Sequence, residues 1–265
     1  MYDFTHHRPA SVDDAVKAIS GADDGKILAG GMTLIPTMKQ RLASPSDVVD
    51  LGKIAALKGI KEEGGNLVIG AMTTHAAVAA DATVKKKIPA LAALADGIGD
   101  PQVRNRGTLG GSIANNDPAA DYPAGLVGLG ATVHTTKRQI PADDFFTGMF
   151  ETALAEDEII TAVSFPIPEK AAYMKFANPA SRYAIVGVMV SKGPAGVRVA
   201  VTGAAPSVYR LGEAESALGG NFSADAVAGV KVSADGLNSD LHASAEYRAN
   251  LVGVMLKRAA AAAAG

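Results

Sequence analysis

The sequence predicts an α+β chain of more than one unit, and three observations carry that expectation. The chain opens in strand–turn–helix–strand order. Its middle interleaves further short apolar strands with helical stretches. A strand over residues 158–165 is then closed by Pro166 and Pro168, and strands and helices resume beyond it.

Each element has a local reason. Ser11 reads as an N-cap with Asp14 three residues on, and Val12, Ala15, Val16 and Ile19 follow at helical spacing. Residues 26–29 read as a short buried strand ending at Gly30. Thr33 is placed to cap a helix running through Leu34, Met38 and Leu42, with Pro36 in the first turn, where its missing N–H costs little. Residues 47–51 and 67–71 are strands, and Thr74 caps the helix after the second. Residues 89–98 read as a helix ended by Gly97 and Gly99, and residues 107–115 as a Gly-rich loop in a long polar segment. Residues 124–131 are partly helical and 132–136 a strand. Past the prolines, 172–176 and 197–203 read as strands. The last helix, 244–264, puts Tyr247, Leu251, Val254 and Met255 on one side. Its Ala-rich end has high helix propensity but little to bury, so fraying is expected.

Composition excludes several function classes. Hydrophobic residues make up 48% of 265, enough for a sizeable core. A net charge of −2 gives no electrostatic reason for nucleic-acid binding. No apolar run is long enough to span a bilayer, and the first residues lack the order of a signal peptide, so a cytoplasmic location is expected. With no cysteine, the chain can hold neither an iron–sulfur cluster nor a thiolate-bound metal. Redox chemistry here would need an organic cofactor or a partner.

Two segments carry the chemistry. One is Leu28-Ala29-Gly30-Gly31-Met32-Thr33-Leu34-Ile35. The other is Gly107-Thr108-Leu109-Gly110-Gly111-Ser112-Ile113-Ala114-Asn115. Each sets a Gly-Gly pair beside a hydroxyl residue. Glycine lets backbone approach an anion closely, and successive N–H groups can form a nest. A single Gly-Gly is usually a turn; two such segments suggest the two jaws of a pyrophosphate clamp. Neither is a Walker A loop or a Gly-x-Gly-x-x-Gly fingerprint. In the flanks, Arg104 and Arg106 pair either with phosphate or with surface carboxylates, and Asp117 and Asp121 bind sugar hydroxyls or cap the next helix. His75 and His134 are isolated and read as structural or surface histidines rather than bases.

Residues 29–34, then Gly99-Asp100-Pro101-Gln102-Val103-Arg104-Asn105-Arg106 running into the second segment, then Asn116-Asp117-Pro118, resemble the FAD-binding medium subunit of the molybdenum hydroxylases. This is the xanthine dehydrogenase family, and the branch most resembled is the carbon monoxide dehydrogenase medium subunit. The resemblance spans essentially the whole chain. It implies a vanillyl-alcohol-oxidase/p-cresol-methylhydroxylase-type FAD fold. Residues 1–168 would form the FAD domain, in subdomains of about 1–55 and 56–168, and 169–265 a small α+β C-terminal domain. It implies that residues 28–35 and 108–112 embrace the FAD pyrophosphate. It further matches Asp121 to an acid near the flavin, Ile98 and Ile160 to apolar contacts, Lys175 to a lysine close to the isoalloxazine, and Tyr183 to an aromatic against the flavin face. Met32-Thr33 stands where the carbon monoxide branch often has His-Ser, which weakens carbon monoxide as the substrate.

The function implied is an electron-transfer flavoprotein subunit that carries no catalytic residue for the primary substrate and binds no metal. Its implied partners are a molybdenum-cofactor large subunit and a [2Fe–2S] small subunit, in a dimer of heterotrimers. The alternative is a stand-alone FAD-dependent oxidase or dehydrogenase of the same fold. The first-segment histidine that often binds FAD covalently in those enzymes is absent.

Overall fold

A computed structural model describes every residue, 1–265. The N-terminal unit is a parallel sheet of β1 (Thr5–His7), β2 (Gly25–Leu28) and β3 (Asp47–Asp50), in the order β1-β3-β2. Parallel strands need crossovers, and α1 (Val12–Ser20) and α2 (Leu34–Lys39) supply them. Ser11 caps α1 by accepting from Asp14 N at 3.1 Å. Ala15 and Ile19 then face Val49, Leu51, Ile54 and Leu57 in a small core. Thr33 precedes α2 without a side-chain cap; instead its carbonyl accepts from the Thr37 hydroxyl at 2.8 Å. The helix stops at Lys39, so Leu42 lies outside it and is 75% exposed, against the expected longer helix.

The central unit begins with β4 (Ile60–Glu63) and β5 (Asn66–Gly70). Six helices follow: α3 (His75–Ala80), α4 (Ala82–Lys87), α5 (Pro89–Asp96), α6 (Pro101–Arg106), α7 (Leu109–Asn115) and α8 (Tyr122–Leu129). Then come β6 (Thr132–Thr135), β7 (Gln139–Pro141), α9 (Ala142–Phe145), the hairpin β8 (Phe146–Gly148) and β9 (Glu151–Thr152), and β10 (Ile160–Pro166). The sheet runs β4-β5-β10-β6-β7, all antiparallel. Val163 lies opposite both Ile69 and Val133, and alternate residues of these strands enter one core with Leu91, Leu94, Ile113 and Leu126. The segment expected to be a polar loop is two short helices. Asp100 caps α6 by accepting from Val103 N, and Thr108 caps α7 by accepting from Gly111 N.

The C-terminal unit is an antiparallel sheet of β11 (Lys170–Ala177), β12 (Ala184–Gly193), β13 (Gly196–Thr202) and β14 (Tyr209–Arg210), with α10 (Gly212–Gly220) and α11 (Ala245–Ala264). Its two faces belong to different cores. Val188, Val190, Val199 and Val201 pack with α11, whereas Met189 and Ala200 join the central core beside α8. Gly128 permits that approach: a Cβ there would sit 2.5 Å from Met189 Cγ. The Ala-rich end of α11 does not fray as expected, because Ala259, Ala260 and Ala263 are buried against the sheet. On that helix Leu251 and Met255 face the core, but Tyr247 and Val254 are exposed.

Candidate functional site

The two Gly-Gly segments meet. A Cβ on Gly30 would collide with the Arg106 carbonyl oxygen and lie 2.9 Å from Gly107 Cα. A Cβ on Gly111 would lie 3.3 Å from Ala29 Cβ. Gly31 adopts φ +75°, where a side chain is strained. Both segments line one cavity of about 720 Å³, whose other walls come from 98–103, from 114–121, from 154–160 and from 180–183. All three units therefore contribute to it. Its size falls in the range of about 300–1,000 Å³ usual for cofactor pockets.

The segments differ in what they offer. No hydrogen bond uses the N–H groups of Gly30, Gly31, Met32 or Thr33, so four successive donors are free at the cavity wall. In the second segment Thr108 N alone has no partner, and the next four amides are spent. Leu109 N donates to Thr73 O at 3.0 Å, Gly110 N to Ala71 O at 2.8 Å, Gly111 N to Thr108 Oγ1 at 3.1 Å and Ser112 N to Thr108 O at 3.0 Å. The first segment therefore offers more free amides than the second. Gly110 serves packing, since a Cβ there would lie 2.7 Å from Ala71 Cβ. From this side the hydroxyl residues Thr108 and Ser112 line the cavity.

Most of the other expected positions also line it: Leu28, Ala29, Leu34, Ile98, Asp121, Ile160 and Tyr183. Three do not. Leu109 is fully buried in the central core. Ile35 folds back, and its Cδ1 is what a Cβ on Gly31 would meet at 2.6 Å. Lys175 is tied up behind the wall. Its ammonium donates to Gly97 O at 2.8 Å, Arg182 O at 2.9 Å and Asp121 Oδ2 at 3.1 Å, which uses its three protons. Asp121 also accepts from Tyr173 OH at 2.6 Å. Burial pushes the Asp121 carboxyl up, with Lys175 and Tyr173 opposing. Lys175 is therefore a brace between α5, Asp121 and the 178–183 turn. Tyr183 ends that turn, after Arg182 at φ +62°, and leads into β12. It is half exposed at the rim, and burial is the main cause that raises its phenol.

Of the flanking charges, Arg104 donates to the carbonyls of Ile98 and Gly99 and also lies 3.8 Å from the exposed carboxylate of Asp96, the surface-carboxylate alternative. Asp117 closes its own turn by accepting from Ala119 N at 2.8 Å. Glu158, at the cavity wall, is held by Arg138, Thr135 and Ala155 N, and the Arg138 guanidinium holds its carboxyl down at about 2. His134 meets Ser164 Oγ at 2.5 Å on the sheet. His75 is different: it is buried, lines the cavity and was not singled out from the sequence for the site. The sequence marks it only as the first residue of a helix after the Thr74 cap; its place beside the second Gly-Gly segment comes from tertiary contacts such as the Thr74–Thr108 bridge.

A pocket with a strip of free amides, walled by three α+β units, defines a protein that binds a phosphate-bearing dinucleotide cofactor. The particular family follows from its relatives. Residues 2–168 match the FAD binding domain in molybdopterin dehydrogenase, and residues 171–263 the CO dehydrogenase flavoprotein C-terminal domain. The nicotine 6-hydroxylase medium subunit of Paenarthrobacter nicotinovorans is 40% identical, over 94% of this chain and 93% of its own. The carbon monoxide dehydrogenase medium chain of Hydrogenophaga pseudoflava is 36% identical over 97% and 95%. Among solved structures, reconstituted CO dehydrogenase from Oligotropha carboxidovorans superposes with a TM-score of 0.92 at 36% identity, covering 98% of this chain and 97% of that one. Quinoline 2-oxidoreductase from Pseudomonas putida 86 gives 0.89 at 30%, over 97% and 95%. The chain belongs to the FAD-binding medium subunits of the molybdenum hydroxylases; it is an oxidoreductase subunit and its cofactor is FAD. No helix is long and apolar enough to cross a membrane.

Proposed function

We propose that residues 28–34 hold the FAD pyrophosphate through the four free amides, with Thr108 and Ser112 offering hydroxyls from the opposite wall. The observation that carries this is the unpaired run of donors from Gly30 to Thr33 inside the shared cavity. Ile98, Ile160 and Tyr183 supply apolar and aromatic surface for the ring system. Asp121, anchored by Tyr173 and Lys175, is a fixed acceptor. Its negative charge offsets the Lys175 ammonium, so Lys175 steadies the wall rather than donating to the flavin. The chemistry supplied by FAD when bound is the carriage of electrons from a reduced donor to an acceptor. The chain itself holds the ring in place and limits water at one face.

In this reading the chain is the electron-transfer subunit of a complex, working with a molybdenum-cofactor large subunit and a [2Fe–2S] small subunit as a dimer of heterotrimers in the cytoplasm. The lack of cysteine supports a separate cluster-bearing partner. We place the main domain boundary after Pro168, with 169–265 as the smaller domain. The relatives act on different substrates, as their names state, so the pocket for the primary substrate lies in another chain of the complex.

The test is direct. Gly30→Val and Gly111→Val each push a side chain into the contact between the two segments, so both should lose flavin absorbance on copurification. Retention of FAD by both variants, with normal thermal stability, rejects the cradle. Copurification of the wild-type chain with a cysteine-rich subunit supports the complex; a lone chain turning over substrate favours the stand-alone oxidase.

A further inference from the structure

The cradle described above is lopsided, with four successive free amides on one wall and only that of Thr108 on the other. His75 stands at the second wall. Its backbone N–H donates to Gly107 O at 3.0 Å, which pins the start of α3 to the segment leading into α7. Its ring lines the cavity although the residue is only 4% exposed. Nε2 lies against Gly107, where a Cβ would come within 2.5 Å of it. Gly107 is also the residue that Gly30 touches, so this nitrogen sits beside the point where the two segments meet.

The other ring nitrogen, Nδ1, is sealed and has no hydrogen-bond partner. It faces no rescue from Tyr122, whose ring is 5.3 Å away and whose hydroxyl is itself sealed and unpartnered. Burial, helped by the Arg104 charge, pushes the imidazole down to about 4, so the ring is neutral at neutral pH and carries one proton. On Nδ1 that proton would be an orphaned buried donor, which costs about 1–3 kcal/mol and is rarer than an under-satisfied acceptor. On Nε2 it stands at the cavity wall, where a ligand can accept it.

We propose that His75 is a cofactor-binding residue whose Nε2–H donates to the diphosphate-bearing half of FAD. This rests on the cofactor reading given above. It adds a side-chain donor to the wall that has fewer free amides.

The test uses the assembled complex, stripped of flavin and titrated with FAD and, separately, with ADP. A glutamine can place its amide N–H near the position of Nε2, whereas an asparagine reaches only as far as Nδ1. His75→Gln should bind both probes within about threefold of wild type, and His75→Leu and His75→Asn more weakly by about tenfold or more, the range one hydrogen bond to a charged group supplies. Equal losses for FAD and ADP place the contact in the half the two share; a loss for FAD alone overturns the assignment. If His75→Leu does not fold, the comparison of His75→Gln with His75→Asn decides, and equal affinities for those two overturn the proposal. A wild-type complex that takes up no FAD instead rejects the cofactor reading itself.

Discussion

At the scale of single residues, the site depends on side chains that never touch its contents. Lys175 and Asp121 form a buried ion pair at 3.0 Å. Removing one partner of such a pair strands the other, at a typical cost of about 3–5 kcal/mol. Lys175→Met should lose about that much stability in denaturant titrations. The loss has a pH signature. Burial already pushes Asp121 up, and without its cation the carboxyl rises further. A carboxyl raised in the folded state destabilises as pH climbs through its folded value, because the unfolded chain gives up its proton first. The deficit of Lys175→Met should therefore be smaller at about pH 5 than at about pH 8. Asp121→Asn/Lys175→Met should recover much of it; an additive double variant would show that the two residues are not coupled. The resemblance matched both Asp121 and Lys175 to positions near the flavin; Asp121 lines the cavity, whereas Lys175 lies behind it. A lysine in a strand looks the same whether its ammonium points into a cavity or into three acceptors from distant segments.

At the scale of elements, two of the three expected caps were legible and sandwiched strands were not. Ser11 and Thr74 each accept from the amide three residues on, as their positions before helical periodicity required, whereas Thr33 makes no side-chain cap. By contrast β12 carries eight consecutive buried residues, since α8 covers one of its faces and α11 the other. Burial on both faces erases the period-two pattern that marks a half-exposed strand. The 107–115 segment misled for a related reason. Gly110 and Gly111 read as a loop, yet they are there so that α7 can lie against Ala71 and Thr108. The turn between β6 and β7 offers a test of element stability. Glu158 is buried beneath it, paired to Arg138 and Thr135. Its carboxyl is depressed from an ordinary 4.5 to about 2, mainly by Arg138. A depressed acid stabilises the fold above its unfolded value and loses that contribution as pH falls through the folded one. Allowing for the half-exposed Arg138, about 1–3 kcal/mol should vanish between those limits. Glu158→Gln should be less stable at neutral pH and show a flatter acid limb; an unchanged limb would mean the pair contributes little. The end of α11 gives a second test. Ala260→Glu should lower stability by about 2 kcal/mol or more by burying an unpaired charge, whereas Ala262→Glu on the exposed side should be nearly neutral.

At the scale of the whole molecule, the three units are more interlocked than a chain divided at its prolines suggests. α8 is buried along all eight of its residues, and it packs on β12 and β13 as well as on the central helices. Met189 and Ala200 belong to the central core although they follow Pro168. Arg198 crosses the same junction, donating to Val127 O at 2.7 Å and pairing with Asp143. Ser191 Oγ donates to Gly128 O at 2.6 Å, and Thr202 Oγ1 to Ala120 O at 2.6 Å. The contact at Ala120 reaches the cavity wall, to which the 180–183 turn of the C-terminal unit also contributes. Units that share a core and buried hydrogen bonds should unfold together, whereas domains joined by a polar interface separate. The chain should therefore show a single calorimetric transition. A fragment ending at Pro168 should expose the α8 face, aggregate and bind no FAD, even though it retains both Gly-Gly segments. Arg198→Met removes the buried staple and should cut stability by about 1–3 kcal/mol, mainly by leaving the Val127 carbonyl without its donor, since Asp143 is partly exposed and keeps Arg210. Two well-separated transitions in the wild-type chain, or a soluble 1–168 fragment that holds FAD, would show that the C-terminal unit rides on the cofactor domain rather than completing it.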